Sequence, residues 1–132
     1  MSNQNIALLD ANVIVRFLIG DGGDLYGHSR RIFEEIENNT RKVRLLDSVL
    51  AEVVYVLLEV YQVSRKDIIR SLIPIAEMRS IRMENKTVVI NALEIFYQEN
   101  IDFVDALLCA YNKVKGLEVI SFDKQVNNFI EQ

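Results

Sequence analysis

The stretch IALLDANVIVRFLI, residues 6–19, decides the fold. Its first five residues, Ile6 to Asp10, form an apolar run ending in an acid. That run is too short for a helix and suits a strand buried on both faces. The residues after it, from NVIVRFLI onward, read as a helix. A strand that passes directly into a helix opens a crossover unit, and the same hand-over recurs along the chain.

KVRLLD, residues 42–47, reads as a second strand and leads into the helix SVLAEVVYVLLEVYQ, residues 48–62, with Ser48 as its N-cap. SIRM, residues 80–83, reads as a third strand before the helix of residues 85–100, and LEVIS, residues 117–121, as a fourth before the last helix at KQVNNFIEQ. Between these lie the amphipathic helix RRIFEEIENN, a helix at residues 64–78 and another at residues 103–116 that Gly116 stops. Ser64 and Asp67 make a capping-box-like start to the helix of residues 64–78, in which Pro74 predicts a kink or an early end. GDGGDLYGHS, residues 20–29, holds four of the five glycines and reads as a flexible loop in which His28 is solvated. Strands alternating with helices define an α/β fold with a parallel sheet, because parallel neighbours need crossover connections.

The 132 residues are enough for one compact domain, and with half of them hydrophobic the chain buries a core without disulfides. The single cysteine, Cys109, lies among apolar helical residues and reads as a small core hydrophobe. The opening MSNQNIALLD has no basic leader, and no segment is apolar for long enough to span a bilayer, so a cytoplasmic protein with no membrane association is expected. A formal charge of −4 argues against a generic nucleic-acid coat. It leaves room for a local arrangement in which acids hold cations while Arg30, Arg31, Arg41, Lys42 and Arg44 either face a polyanion or form a solvated surface.

Ligands of open α/β sheets bind beyond the carboxyl ends of the strands. Asp10 ends strand one, Glu52 sits in the helix after strand two, and Asp123 follows strand four. Asp105 belongs to IDFVDALLCAY, residues 101–111, where Asp102 and Asp105 stand at the head of one helix. Each acid taken singly could cap a helix or shape a turn. Glu52 is different, because its apolar neighbours predict burial, and a buried Glu needs a partner or a cation. Carboxylates converging without a basic partner raise one another's pKa, so a cation must compensate, and all-oxygen ligands select Mg²⁺ or Mn²⁺ over zinc. Such ions convert water into a nucleophile and stabilise charge on a phosphodiester under attack. A phosphatase with Asp10 as nucleophile is the competing enzyme class. It is disfavoured by Asn12, which cannot act as the second acid that this chemistry wants two residues on.

Taken together, LLDANVIVRFL, SVLAEVVYVLL, IDFVDALLCAY and VISFDK, in this order between Leu8 and Lys124, resemble the PIN-domain ribonucleases, and among them the compact VapC-type toxins of prokaryotic toxin–antitoxin modules. The resemblance implies a single PIN domain over residues 1–132, layered α/β/α around a mostly parallel sheet of four or five short strands. It implies a metal-dependent endoribonuclease in which Asp10, Glu52, Asp105 and Asp123 bind Mg²⁺ or Mn²⁺ and activate the attacking water, while Asn12 and Ser121 orient them. Asp102 is then left to helix capping and an outer-shell role. RNA as substrate, a small antitoxin as partner and a homodimer follow from the same resemblance, the last helped by the apolar segments Val53 to Leu58 and Ile68 to Ile75. A non-catalytic PIN-like module that binds RNA or protein is the alternative. Two features depart from the pattern: the glycine-rich loop, and a chain end without another short strand after the last motif.

Overall fold

A computed structural model describes residues 6–20 and 22–132. The α/β expectation holds. Three parallel strands, β1 (Ala7–Leu8), β2 (Val43–Arg44) and β3 (Ile81–Arg82), lie in the order β1-β2-β3. Ala7, Val43 and Ile81 are in register, as are Leu8, Arg44 and Arg82. Flanking bonds extend the ladders, from Leu9 N–H to the Arg44 carbonyl and from Leu45 N–H to the Arg82 carbonyl, each at 2.9 Å.

The sheet is smaller than expected, with three strands among the described residues instead of four or five. Leu117–Ser121 forms no ladder. Two of its carbonyls are taken by side chains instead, Asn112 Nδ2 donating to Leu117 and Asn127 Nδ2 to Ser121, both at 2.9 Å. Ile120 and, just beyond, Phe122 are consequently almost fully exposed. The first strand is not buried on both faces either, since Ala7 and Leu8 are both exposed. In β2 and β3, Val43 and Ile81 face the core while Arg44 and Arg82 face solvent.

Seven α-helices complete the described chain: α1 (Ala11–Ile19), α2 (Asp24–Glu37), α3 (Asp47–Tyr55), α4 (Arg65–Glu77), α5 (Lys86–Gln98), α6 (Phe103–Lys115) and α7 (Lys124–Ile130). The glycine-rich stretch is mostly helix, because α2 begins at Asp24 and includes Gly27 and an exposed His28. Its real break is at Gly20, whose φ of 66° closes α1 in the left-handed region. Ser48 is not a cap, since α3 starts one residue earlier with Leu46 in the cap position, and a π-helical turn over Val56–Val60 continues it. Ser64 does cap α4, its Oγ accepting from Asp67 N–H at 3.1 Å, and that helix runs on through Pro74 to Glu77. Gly116 ends α6 with a φ of 69°.

The core forms where α4, α5 and α6 pack together. Val88, Val89, Ala92, Leu93 and Phe96 of α5 are fully buried, as are Ala106, Cys109 and Ala110 of α6. Val53, Leu57, Ile68, Leu72 and Ile75, expected to offer spare apolar surface, are all buried in this same core. Phe17 of α1 stacks on Phe33 of α2 with ring centroids 4.2 Å apart.

One side chain ties the start of α4 to the α5–α6 corner. Arg65 Nη1 donates to the carbonyls of Phe96 and Ile101, each at 2.7 Å, and its guanidinium lies 4.3 Å from the centre of the Phe96 ring. Because Ile101 directly precedes Asp102, this clamp fixes where α6 begins. Arg65→Ala is expected to lower unfolding free energy by about 2–3 kcal/mol, since it removes charge-assisted bonds to two carbonyls and a cation–π contact. Urea denaturation of the two proteins checks this.

Candidate functional site

Four of the helices carry the acids. Helix α1 packs against α3, α3 against α6 and α6 against α7, so Asp10, Glu52, Asp105 and Asp123 sit on a connected set of elements in that order. Asp10 occupies the cap position of α1 with extended backbone, yet its side chain makes no capping bond and is exposed. Asn12, in the first turn of α1, lines a recess between α1 and α2 together with Arg16, Leu25 and His28.

Glu52 departs from expectation because it is exposed. Helix α3 turns Leu50, Val53 and Val54 into the core, which leaves Ser48, Glu52 and Tyr55 on its outer side. The apolar neighbours that suggested burial include Tyr55, itself 62% exposed. Glu52 therefore needs no buried partner, and the burial argument for a cation at this position falls away.

Asp105 is the acid under strain. It is the third residue of α6, where the free N–H groups of a helix start favour a negative charge. Its carboxyl is nevertheless pushed above the usual range, first by burial, then by Asp123 and then by Asp102. The same field reaches one turn further, where burial, followed by Asp105, Glu99 and Asp123, raises the Cys109 thiol. Asp105, Asp123 and Asp102 thus form an interacting group across the α6–α7 junction. Asp102 stands at the cap position of α6 but makes no side-chain capping bond. Its charge adds to that of Asp123 in raising the Asp105 carboxyl.

Asp123 is held by its own helix. Its Oδ1 accepts from Gln125 N–H at 2.8 Å and Val126 N–H at 3.1 Å, capping α7. Ser121 Oγ accepts from Asp123 N–H at 2.9 Å, fixing the backbone from which that carboxylate projects. Asp102 and Asp105 also line a recess of about 360 Å³ with Val104 and with Tyr55, Leu58 and Glu59 from α3 and its π turn.

Among the described residues, no three of Asp, Glu, His and Cys stand close enough to encage an ion. The donor chemistry still fits a hard cation. The interacting acids offer only oxygen, and burial together with mutual repulsion leaves negative charge that a divalent ion would relieve. Sequence reasoning missed a second polar link: Tyr111 Oη donates to Asp47 Oδ2 at 2.7 Å and accepts from Asn85 Nδ2 at 3.3 Å. This ties α6 to the first residue of α3 and to the residue before α5. Asp47 had the appearance of a strand end, so nothing in its local spacing pointed to Tyr111, 64 positions away.

The chain thus combines a small parallel sheet wrapped by helices with acids that follow its strands and head its helices. The PIN-domain family profile matches residues 7–130, and the chain belongs to that family. It is 28% identical over 119 residues to a VapC ribonuclease of Aquifex aeolicus (strain VF5), covering 89% of this chain and 87% of the relative. No solved structure matches significantly. No described helix is long and apolar enough to cross a membrane.

Two outcomes follow for stability. Because the folded-state pKa of Asp105 is raised, the native protein binds its proton more readily than the unfolded chain does, and stability falls as pH rises through that range. Asp105→Asn should therefore melt above wild type at neutral pH in EDTA, with the gap closing as pH drops below the ordinary carboxylate range. Thermal melts across pH check this. Asp123→Ala should lose about 1 kcal/mol with the α7 cap, whereas Asp123→Asn, which keeps a capping oxygen, should lose less. Urea titrations of both variants distinguish the two.

Proposed function

We propose that the protein is a metal-dependent endoribonuclease acting as the toxin of a type II toxin–antitoxin pair, the whole chain serving as one PIN unit. The observation that carries this reading is the PIN-family match over residues 7–130, in a chain whose four acids stand on or at the heads of helices packed in series. The likeness to a VapC ribonuclease supports RNA as substrate and a small antitoxin as partner; a homodimer in the cytoplasm completes the proposal.

In this reading Asp10, Glu52, Asp105 and Asp123 hold Mg²⁺ or Mn²⁺. The ion supplies a polarised water and charge stabilisation at the scissile phosphate. The chain's own contribution is placement. The α7 cap and Ser121 fix the backbone and one oxygen of Asp123, while the first turn of α6 sets Asp105 half-buried at the edge of the core. Asn12 and Ser121 act as positioning residues, and Asp102 adds negative charge without touching substrate. Until a cation binds, these acids repel phosphate, so RNA and metal should bind cooperatively.

Purified protein incubated with total cellular RNA in Mg²⁺, Mn²⁺ or EDTA tests the proposal. Discrete fragments are expected with metal and none with EDTA. Asp10→Asn and Asp105→Asn are each expected to lower the rate by at least about 100-fold while remaining folded. Cleavage at the wild-type rate in both variants overturns the site. Absence of cleavage by antitoxin-free protein under every metal condition transfers the function to a PIN-like binding module.

A further inference from the structure

The sheet presents a row of cations whose charge the fold does not use. Leu8, Arg44 and Arg82 are in register across the three strands, so their side chains leave the same face, and all three are exposed. Lys42 and Ser80 immediately precede β2 and β3, Lys42 exposed and Ser80 buried. Lys42, Ser80 and Arg82, with Arg79 and Asn39, line one recess of about 340 Å³. Its polar floor is held in place, the nearly buried Ser80 donating from Oγ to Asn39 Oδ1 at 2.6 Å. Arg44 lines the next recess, about 310 Å³, with Asp47, Ser48, Glu84 and Tyr111. Ser48 stands one helical turn before Glu52 on the outer side of α3.

These cations differ from the other basic residues that the sequence singles out. Arg41 Nε meets Glu35 Oε1 at 2.6 Å, and Arg30 Nε lies 3.8 Å from Glu34 Oε2. Lys42, Arg44, Arg79 and Arg82 form no ion pair with any described residue. Their field is felt nearby: Lys86 is held below the ordinary lysine range, first by burial and next by Arg82. Lys42, Arg79 and Arg82 share one recess with no carboxylate in its lining, while Arg44 has Asp47 and Glu84 in its own.

We propose that this face is a track for the sugar–phosphate backbone of an RNA strand. It runs from the Arg79–Lys42 recess across Arg82 and Arg44 to Ser48, and on towards Glu52. The inference rests on the ribonuclease reading and extends it to how the substrate is held. The acids that would cut the strand repel its phosphates, so affinity must come from charges placed elsewhere. Guanidinium forks are suited to phosphate oxygens, and contacts of this kind position a strand without reading its bases.

The test is the affinity of the whole protein for a fluorescein-labelled, mixed-sequence single-stranded oligoribonucleotide, read by anisotropy in EDTA over a range of salt. Arg44→Gln combined with Arg82→Gln gives up two phosphate contacts. Affinity at 0.1 M salt should then fall roughly 25-fold, and the slope of log affinity against log salt should flatten by about 1.4. Lys113→Gln combined with Lys115→Gln, which removes the same charge from the end of α6, should change affinity by less than about twofold. Both arginines are exposed, so their variant should keep the wild-type melting temperature. Unchanged affinity and slope in the arginine variant overturn the track and leave the ribonuclease reading standing. Wild-type protein that binds polyglutamate and no RNA also overturns it, assigning the face to an acidic protein. A wild type that fails to cleave, yet binds RNA with the stated losses in the arginine variant, overturns the ribonuclease reading alone.

Discussion

The close packing of α5 against α6 is the constraint from which the site follows. Small residues on the shared face, Ala92 on one side and Ala106, Cys109 and Ala110 on the other, are fully buried and let the helices approach closely. Phe96 and Phe103 then meet edge to face, with ring centroids 6.2 Å apart, at the corner where α5 gives way to α6. Asp105 lies between Phe103 and Ala106 in sequence, so burying those neighbours carries it to the rim of the core whether or not its charge is comfortable there. The helix register demands the position, and the carboxylate bears the consequence as a raised pKa.

Charge is separated within the molecule. Negative potential gathers where α6 meets α7, while unpaired arginines and a lysine occupy the outer face of the sheet. The repulsion around Asp105 lowers stability, as groups kept for function commonly do, while Asp123 offsets part of it by capping α7. The buried helical core offsets that cost. It also allows each strand to be only two residues long, since ladder bonds are not the main source of cohesion.

The order of elements was legible because the hydrophobic period changes at recognisable punctuation, namely Asp10, Ser64 and Gly116. The parallel arrangement followed from connection lengths. Three things were hidden. Whether Leu117–Ser121 pairs depends on competing partners for its carbonyls, and Asn112 and Asn127 supply them from α6 and α7. The exposure of Glu52 depends on which side of α3 meets the core, which a run apolar all round does not reveal. Residues 24–29 carry glycine yet are helical, because Phe33 and Ile36 further along α2 anchor the whole amphipathic face. Of the site, the identities of the acids were readable. The crowding of Asp105 by both Asp102 and Asp123, and the in-register arginines, required the assembled chain.

The buried cysteine has a practical consequence for anyone studying this molecule. Cys109 is the only thiol in the sequence, is fully enclosed, and has its thiolate disfavoured by burial and by the nearby acids. Reagents that attack thiolates will find the native protein almost inert. A cysteine introduced anywhere on the surface will then be the sole point of attachment for a fluorophore or spin label, with no need to engineer the natural one away.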